Sequence, residues 1–470
     1  METAAQQEEK YAGFYQLCRM AEMIFEEDWR DTDEKAKTQK LEREKRAIMG
    51  YERERIFFQS RIGDIIRERG WQAEVPPWYG SLEEGIFHEV YGLAGLAPWA
   101  YDTDEKYRNS SSAKLIGERM YCLIGGVSRL QPQRFSARRR EQLKRALLLA
   151  SPRERLEEGF HEVYLQNGIR ITIFSGERTK EGQDVMVFRK YILQQLTFEE
   201  LARLRTIPAD AIPLFHSMIR LGLNILIAGP VRSGKTTFLQ VWQKQEDDTL
   251  EGLAISTDPE TPWHELMPDA PIMQLVADGK ELDTVMKSLL RGDNDYILLE
   301  EMSDAAAFRL ALAITSAGTM RSKATIHSSD AVQIPYKMAS AICEAYGGNQ
   351  QNLIARVFQN FQLVFLFRQL PADRAEKRLA EISAYTYDAE NDAAAVHTIC
   401  RYIPSESQWR WNAAVPWQHL RSSAMTQKEE EEWEKMQNLL EKLEKRNPIM
   451  GKCTIYPRYY RPDSKEGGPK

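Results

Sequence analysis

Long apolar runs are missing from this chain, and none approaches the roughly 18–20 residues that a membrane-spanning helix needs. The opening METAAQQEEK also lacks the basic-then-apolar order of a secretory signal. The expectation is a cytoplasmic protein that reaches any membrane through partners. Cysteine is scarce: Cys18, Cys122, Cys343, Cys400 and Cys453 are scattered, with no CxxC pair and no His–Cys cluster. That argues for reduced structural thiols and against a disulfide scaffold or a cysteine metal site. An excess of basic charge is absent too, because 63 Lys and Arg stand against 69 Asp and Glu, a net charge of -6. Nothing global therefore attracts nucleic acid, and no direct nucleic-acid partner is expected.

What is present is ordinary for a folded chain, with 43% hydrophobic and 28% charged residues. At 470 residues, length alone suggests roughly two to four domains. The first part is highly charged, with Phe14, Leu17, Met20, Met23 and Ile24 at helical spacing, then Ile48, Tyr51, Ile56 and Phe57. It reads as two or three amphipathic helices in a solvated bundle or arm, the last ending near Gly70. WQAEVPPWYG (71–80) is a turn-rich break. RMYCLIGG (119–126), GIRITIFSG (168–176) and VMVFRKYIL (185–193) look like strands, and SARRREQLKRALLLA (136–150) has a helical period. LEEGIFHEVYG (82–92) and LEEGFHEVYLQNG (156–168) are similar, but the residues after each copy differ, so a duplicated domain is not inferred.

Beyond about residue 196 the pattern changes. NILIAG (224–229), GLAIST (252–257), YILLE (296–300), KATIHS (323–328) and LVFLFRQL (363–370) are apolar runs separated by helical stretches. Such alternation predicts a mostly parallel sheet with helices on both faces, an α/β domain. Trp433, Met436, Leu439, Leu440 and Leu443 then share one helical face near the end. The expected organisation is a helical extension over 1–75, a small α+β domain over 80–195, and a linker over 196–208. An α/β domain over 209–411 and a C-terminal helix with a disordered tail over 412–470 complete it.

The sharpest motif is GPVRSGKT (229–236), which fits G-x-x-x-x-G-K-[ST] between a buried strand and a helix. Glycines let the backbone curl with its N–H groups inward, and the helix N-terminus adds positive potential where phosphates lie. The candidate nucleotide-binding residues are Gly229, Pro230, Val231, Arg232, Ser233, Gly234, Lys235, Thr236 and Thr237. Lys235 is expected to reach the β- and γ-phosphates of ATP, and Thr236 to give its hydroxyl to Mg²⁺. Hydrolysis also needs an acidic group beside the γ-phosphate. YILLEEM (296–302) offers Glu300 and Glu301, which point to opposite faces of a strand, so one of them addresses the nucleotide. STDPE (256–260) brings Asp258 and Glu260 to the end of another strand, and ATIHS (324–328) brings His327. Ligands lie beyond the carboxyl ends of parallel strands, so these sites can converge.

This order of motifs resembles the ATPases of type II and type IV secretion systems, and among them the branch that drives Flp (Tad) pilus assembly. The carriers are LTFEEL (196–201), NILIAGPVRSGKTT at the Walker A position, STDPE at the Asp box, DYILLEEM (295–302) at Walker B and AGTMRSKATIHSS (317–329) at the His box. RMYCLIGGVSRLQP (119–132), NGIRITIF (167–174) and VFRKY (187–191) are similar to strands of the family's N-terminal domain. The resemblance implies a RecA-like ATPase domain preceded by a PAS-like α+β domain. It further implies a hexameric ring with nucleotide between the two domains, and an inner-membrane platform protein as partner. It makes Glu301 the Walker B glutamate and His327 the His-box histidine, and it sets Arg170 and Arg189 near the phosphates. The sequence departs from the family at Thr257, where Glu usually precedes the Asp and Glu260 is the candidate substitute. It departs also at Glu300, an added negative charge near the phosphates, at Ser303 and at Arg321. These departures leave a rival to the motor: a nucleotide-bound scaffold with little turnover. A P-loop kinase or nucleic-acid motor lacks a basic stripe or acceptor-site signal.

Overall fold

The computed structural model describes residues 2–27, 34–151, 159–180, 182–191, 196–256, 261–277, 279–421 and 425–457. They form two compact units, Met1–Leu193 and Gln194–Lys470. No helix among the described residues is long and apolar enough to cross a membrane.

The first unit joins a helical layer to a sheet. Four helices precede the turn-rich break, Ala4–Lys10, Ala12–Glu27, Glu34–Ile48 and Glu52–Arg69, where the sequence suggested two or three. The last stops at Gly70, which takes φ of 63° and donates its N–H to the Ile66 carbonyl. Left-handed geometry of this kind favours glycine after a helix. The layer is more than a solvated arm, because Phe14, Phe25, Phe58 and Ile62 are buried together with Ile86 and Phe87 of the helix Leu82–Val90. The sheet is antiparallel throughout, in the order β3-β2-β1-β6-β5-β4. Its strands are β1 (Ser112–Ile116), β2 (Arg119–Ile124), β3 (Val127–Arg134), β4 (Phe160–Tyr164), β5 (Arg170–Phe174) and β6 (Val185–Arg189). The helix Ala137–Ala150 buries Leu143, Leu147 and Leu148 in the same core as Val163, Ile171 and Phe188.

The second unit is built on a larger sheet. Its strands are β7 (Ile225–Ala228), β8 (Gly252–Ser256), β9 (Ile272–Val276), β10 (Tyr296–Met302), β11 (Lys323–Ile326) and β12 (Leu363–Gln369). Four more complete it: β13 (Lys377–Asp388), β14 (Ala393–Ile403), β15 (Gln408–Trp411) and the short β16 (Thr454–Ile455). The order is β15-β14-β13-β12-β7-β11-β10-β8-β9, with β16 on β14. β7 to β12 run parallel, whereas β13 to β16 continue the sheet antiparallel. The mostly parallel sheet expected from sequence is thus parallel over one part only. β7 lies between β12 and β11, and its four side chains divide by alternation. Ile225 and Ile227 face one core, Leu226 and Ala228 the other. The first core takes in Ile212–Arg220, Lys235–Gln243 and Gln427–Arg446, whose Trp433, Met436, Leu440 and Leu443 are buried there. The second takes in Ala305–Ser316, Ile334–Tyr346 and Gln350–Asn360. Helices therefore cover both faces, and every residue of β7 is buried. The expected disordered tail falls largely on residues 458–470, outside the described residues.

Candidate nucleotide site

β7 ends at Ala228, and the helix Lys235–Gln243 begins six residues after Gly229. The turn between them is tight for a steric reason. A Cβ on Gly229, whose φ is 154°, would stand 2.4 Å from the Phe367 carbonyl oxygen and 2.5 Å from Ser233 Oγ. Gly234 caps the helix with φ of 95°, and Arg232 also takes a positive φ, of 63°. Left-handed residues interspersed along a loop in this way can turn backbone N–H groups into one concavity, the form of an anion cradle. Ser233 is buried, with a hydroxyl that has no hydrogen-bond partner among the described residues. The loop thus holds an unsatisfied polar atom beside the space that the glycines leave open. Pro230 and Val231 are exposed on the loop, while Thr236 and Thr237 are half-buried in the first helical turn.

Lys235 is buried and folds back over the loop. Its Nζ donates to the carbonyls of Gly229 (3.0 Å) and Pro230 (2.9 Å) and lies 3.2 Å from His327 Nδ1. His327 Nε2 lies 3.1 Å from Glu301 Oε1. An ammonium has donors only, so Nδ1 accepts from Lys235 and Nε2–H donates to the carboxylate. Lys235, His327 and Glu301, from three separate elements, thus form one hydrogen-bonded chain at the carboxyl ends of β7, β11 and β10. Side-chain exposures of 36% for His327 and 42% for Glu301 leave this edge open to a ligand.

Different partners separate the two glutamates, which sit where the β10–β11 register shifts between Leu299 and Met302. Glu300 shares its face of β10 with Tyr296 and Leu298, turned to the first core, and its Oε1 accepts from Trp263 Nε1 at 2.8 Å. Its backbone carbonyl accepts from Thr325 Oγ1. The added negative charge expected beside the phosphates is therefore buried, with its carboxylate turned to Trp263 rather than to His327. Trp263 is held in turn, because its backbone N–H donates to Gln274 Oε1 (3.1 Å) on β9. Gln274 Nε2 donates to the Thr261 carbonyl (2.7 Å), and Gln240 Nε2 of the helix Lys235–Gln243 to Thr261 Oγ1 (3.0 Å). No motif signals Trp263, because its partners come from β9 and β10, remote in sequence.

Arg321 lies at the amino end of β11, away from His327 at the carboxyl end. It donates to Glu246 Oε2 (2.7 Å) and to the Ile219 carbonyl (2.9 Å), while Lys323 Nζ takes the other Glu246 oxygen at 2.6 Å. This departure from the family is structural in place. In the first unit, Arg170 of β5 stands directly opposite Arg189 of β6, both half-buried. Like charges facing across a strand pair repel. Asp258 and Glu260 lie outside the described residues.

Residues 179–436 match the model of a family described as type II/IV secretion system protein. The type IV secretion system protein VirB11 of Bartonella quintana is 30% identical over 146 residues, which is 30% of this chain and 40% of that relative. VirB11 of Bartonella henselae matches to the same extent. The matched part thus spans only 40% of the length of these curated relatives. Among solved structures, the VirB11 ATPase from the Brucella suis type IV secretion system, in complex with sulphate, is 16% identical. It covers 62% of this chain and 95% of that one, with a TM-score of 0.33. The pilus retraction motor PilT with bound ADP is 20% identical, covering 58% and 78%, with a TM-score of 0.43.

Proposed function

The chain belongs to the type II/IV secretion system protein family, and from that premise we propose that it is a Mg²⁺-dependent ATPase that works as a motor in pilus assembly or protein secretion. The observation that carries this reading is the Lys235–His327–Glu301 chain at the mouth of a phosphate cradle. When bound, ATP with Mg²⁺ supplies the scissile phosphoanhydride and the metal that neutralises its charge. Lys235 exchanges the Gly229 and Pro230 carbonyls for phosphate oxygens, and the Thr236 hydroxyl serves Mg²⁺. Glu301 orients the attacking water, and His327 holds that carboxylate in place. Asp258 or Glu260 completes the acidic side of the site.

Arg170 and Arg189, opposite each other on β5 and β6, are the arginines proposed to act on the γ-phosphate. Six copies in a ring, in the cytoplasm against an inner-membrane platform protein, agree with the family, and the Flp (Tad) pilus branch is the system proposed. Thr257 and Ser303 favour the rival reading of a scaffold that binds ATP and turns it over slowly. Steady-state phosphate release separates the two. Arginines of this kind contribute about 10³–10⁵ in rate, so Arg170→Ala or Arg189→Ala is expected to lower kcat by about that factor with KM nearly unchanged. A scaffold would give low release in the wild type and the same low value in both variants.

A further inference from the structure

The cradle has a second wall that no motif announces. β12 pairs with β7 on the side away from β11, and the Phe367 carbonyl of β12 is what a side chain on Gly229 would strike. β13 then starts at Lys377, in register with Gln369 at the end of β12. A methyl group built on Gly234 would meet Lys377 Cγ at 3.6 Å and Cβ at 3.7 Å. The stem of Lys377 therefore lies against the residue that caps the P-loop helix, immediately before Lys235. Its ammonium donates to the Arg374 carbonyl, a neutral acceptor in the β12–β13 hairpin. Burial and the Arg232 guanidinium across the loop hold it below the usual lysine range, against the opposite pull of Asp373. The Lys377 stem thus stands beside the N-terminus of the helix Lys235–Gln243, where the helix dipole favours an anion.

We propose that Lys377 is a second phosphate-binding cation of the nucleotide site, delivered from β13 to the side of the cradle opposite Glu301 and His327. The inference rests on the nucleotide reading of the P-loop and adds to it a ligand contact. Lys235 approaches from within the helix, whereas Lys377 approaches from the sheet and closes the loop over the phosphates from the other flank. Four methylenes let its ammonium leave the Arg374 carbonyl and swing past Gly234 without backbone movement. Because the contact is to phosphate, it is blind to the base.

Calorimetric titration of the full chain with ADP and with pyrophosphate, each with Mg²⁺, tests the assignment. Lys377→Met keeps the stem against Gly234 and removes the charge. It is expected to weaken both ligands by a similar factor, about 10- to 100-fold, as for loss of one charged hydrogen-bonding contact. Lys377→Arg restores most of that loss, and the melting temperature without ligand stays unchanged in both variants. Unchanged affinities in Lys377→Met would overturn the proposal. So would a loss for ADP alone, which would assign Lys377 to the nucleoside. A wild-type chain that binds neither ligand would instead overturn the nucleotide reading on which it rests.

Discussion

Glu300 and Glu301 are adjacent, chemically identical and opposite in circumstance. Glu301 stands partly exposed at His327, while Glu300 is buried against an indole N–H. Glu301→Gln keeps the shape of the chain through His327 and removes the charge that orients water. It is expected to bind ATP as the wild type does while turnover falls by about 10²–10⁴. Glu300→Gln still offers an amide oxygen to Trp263 and should leave turnover within a few-fold of the wild type. Phosphate release and ATP titration on both variants check this; exchanged phenotypes would mean that Glu300, not Glu301, addresses the nucleotide. The strand, glycine turn and helix over residues 225–243 were legible from sequence, since they depend on spacing along one segment, whereas simple alternation on β10 is interrupted by a register shift at the two carboxylates. Trp263 and Lys377 were not legible, because what they do depends on neighbours that only folding brings together.

Elements were legible to the degree that local pattern outweighed context. The tetrapeptide His-Glu-Val-Tyr occurs at residues 88–91 and again at 161–164. The first copy closes the helix Leu82–Val90 and the second makes up most of β4. Its intrinsic propensity is middling, so tertiary partners decide: the second copy pairs with β5 along its length. The antiparallel strands β13 and β14 also escaped detection from sequence, for they are buried over most of their length and show little of the polar alternation of a half-exposed strand. β11 carries a further element-level consequence. Lys323 is fully enclosed, and burial lowers its ammonium from the ordinary 10.5 to about 8, against the pull of Glu246. Between those values the unfolded chain holds the extra proton, so stability should rise with pH from about 8 to 10.5 and stay at its lower level below 8. Denaturant unfolding across that range should show the wild type gaining about 3 kcal/mol relative to Lys323→Met. A flat difference would mean that Glu246 keeps the lysine fully charged.

At the scale of the whole molecule, the segment after the last long strands belongs to the second unit. Glu432 of the helix Gln427–Arg446 accepts from Ser217 Oγ and from Arg220 (2.6 Å), tying it to Ile212–Arg220, and Leu440 is 1% exposed. Leu440→Ala leaves a cavity in the core that β7 shares and is expected to cost about 2–5 kcal/mol. Differential scanning calorimetry would show a lower transition for the second unit, with ADP restoring part of the loss by mass action. A change below about 1 kcal/mol would show that the helix is dispensable to that core.

That same helix sets an order of events during synthesis. Ile212–Arg220, the P-loop and all the parallel strands leave the ribosome before Gln427–Arg446 exists, yet the apolar face they share stays uncovered until it arrives. Contacts so distant along the chain carry a large loop-closure cost and form late. A nascent chain halted before residue 427 should therefore be sticky and slow to hold nucleotide, and the cradle should acquire its final firmness only when this late helix docks on one of the earliest of its unit.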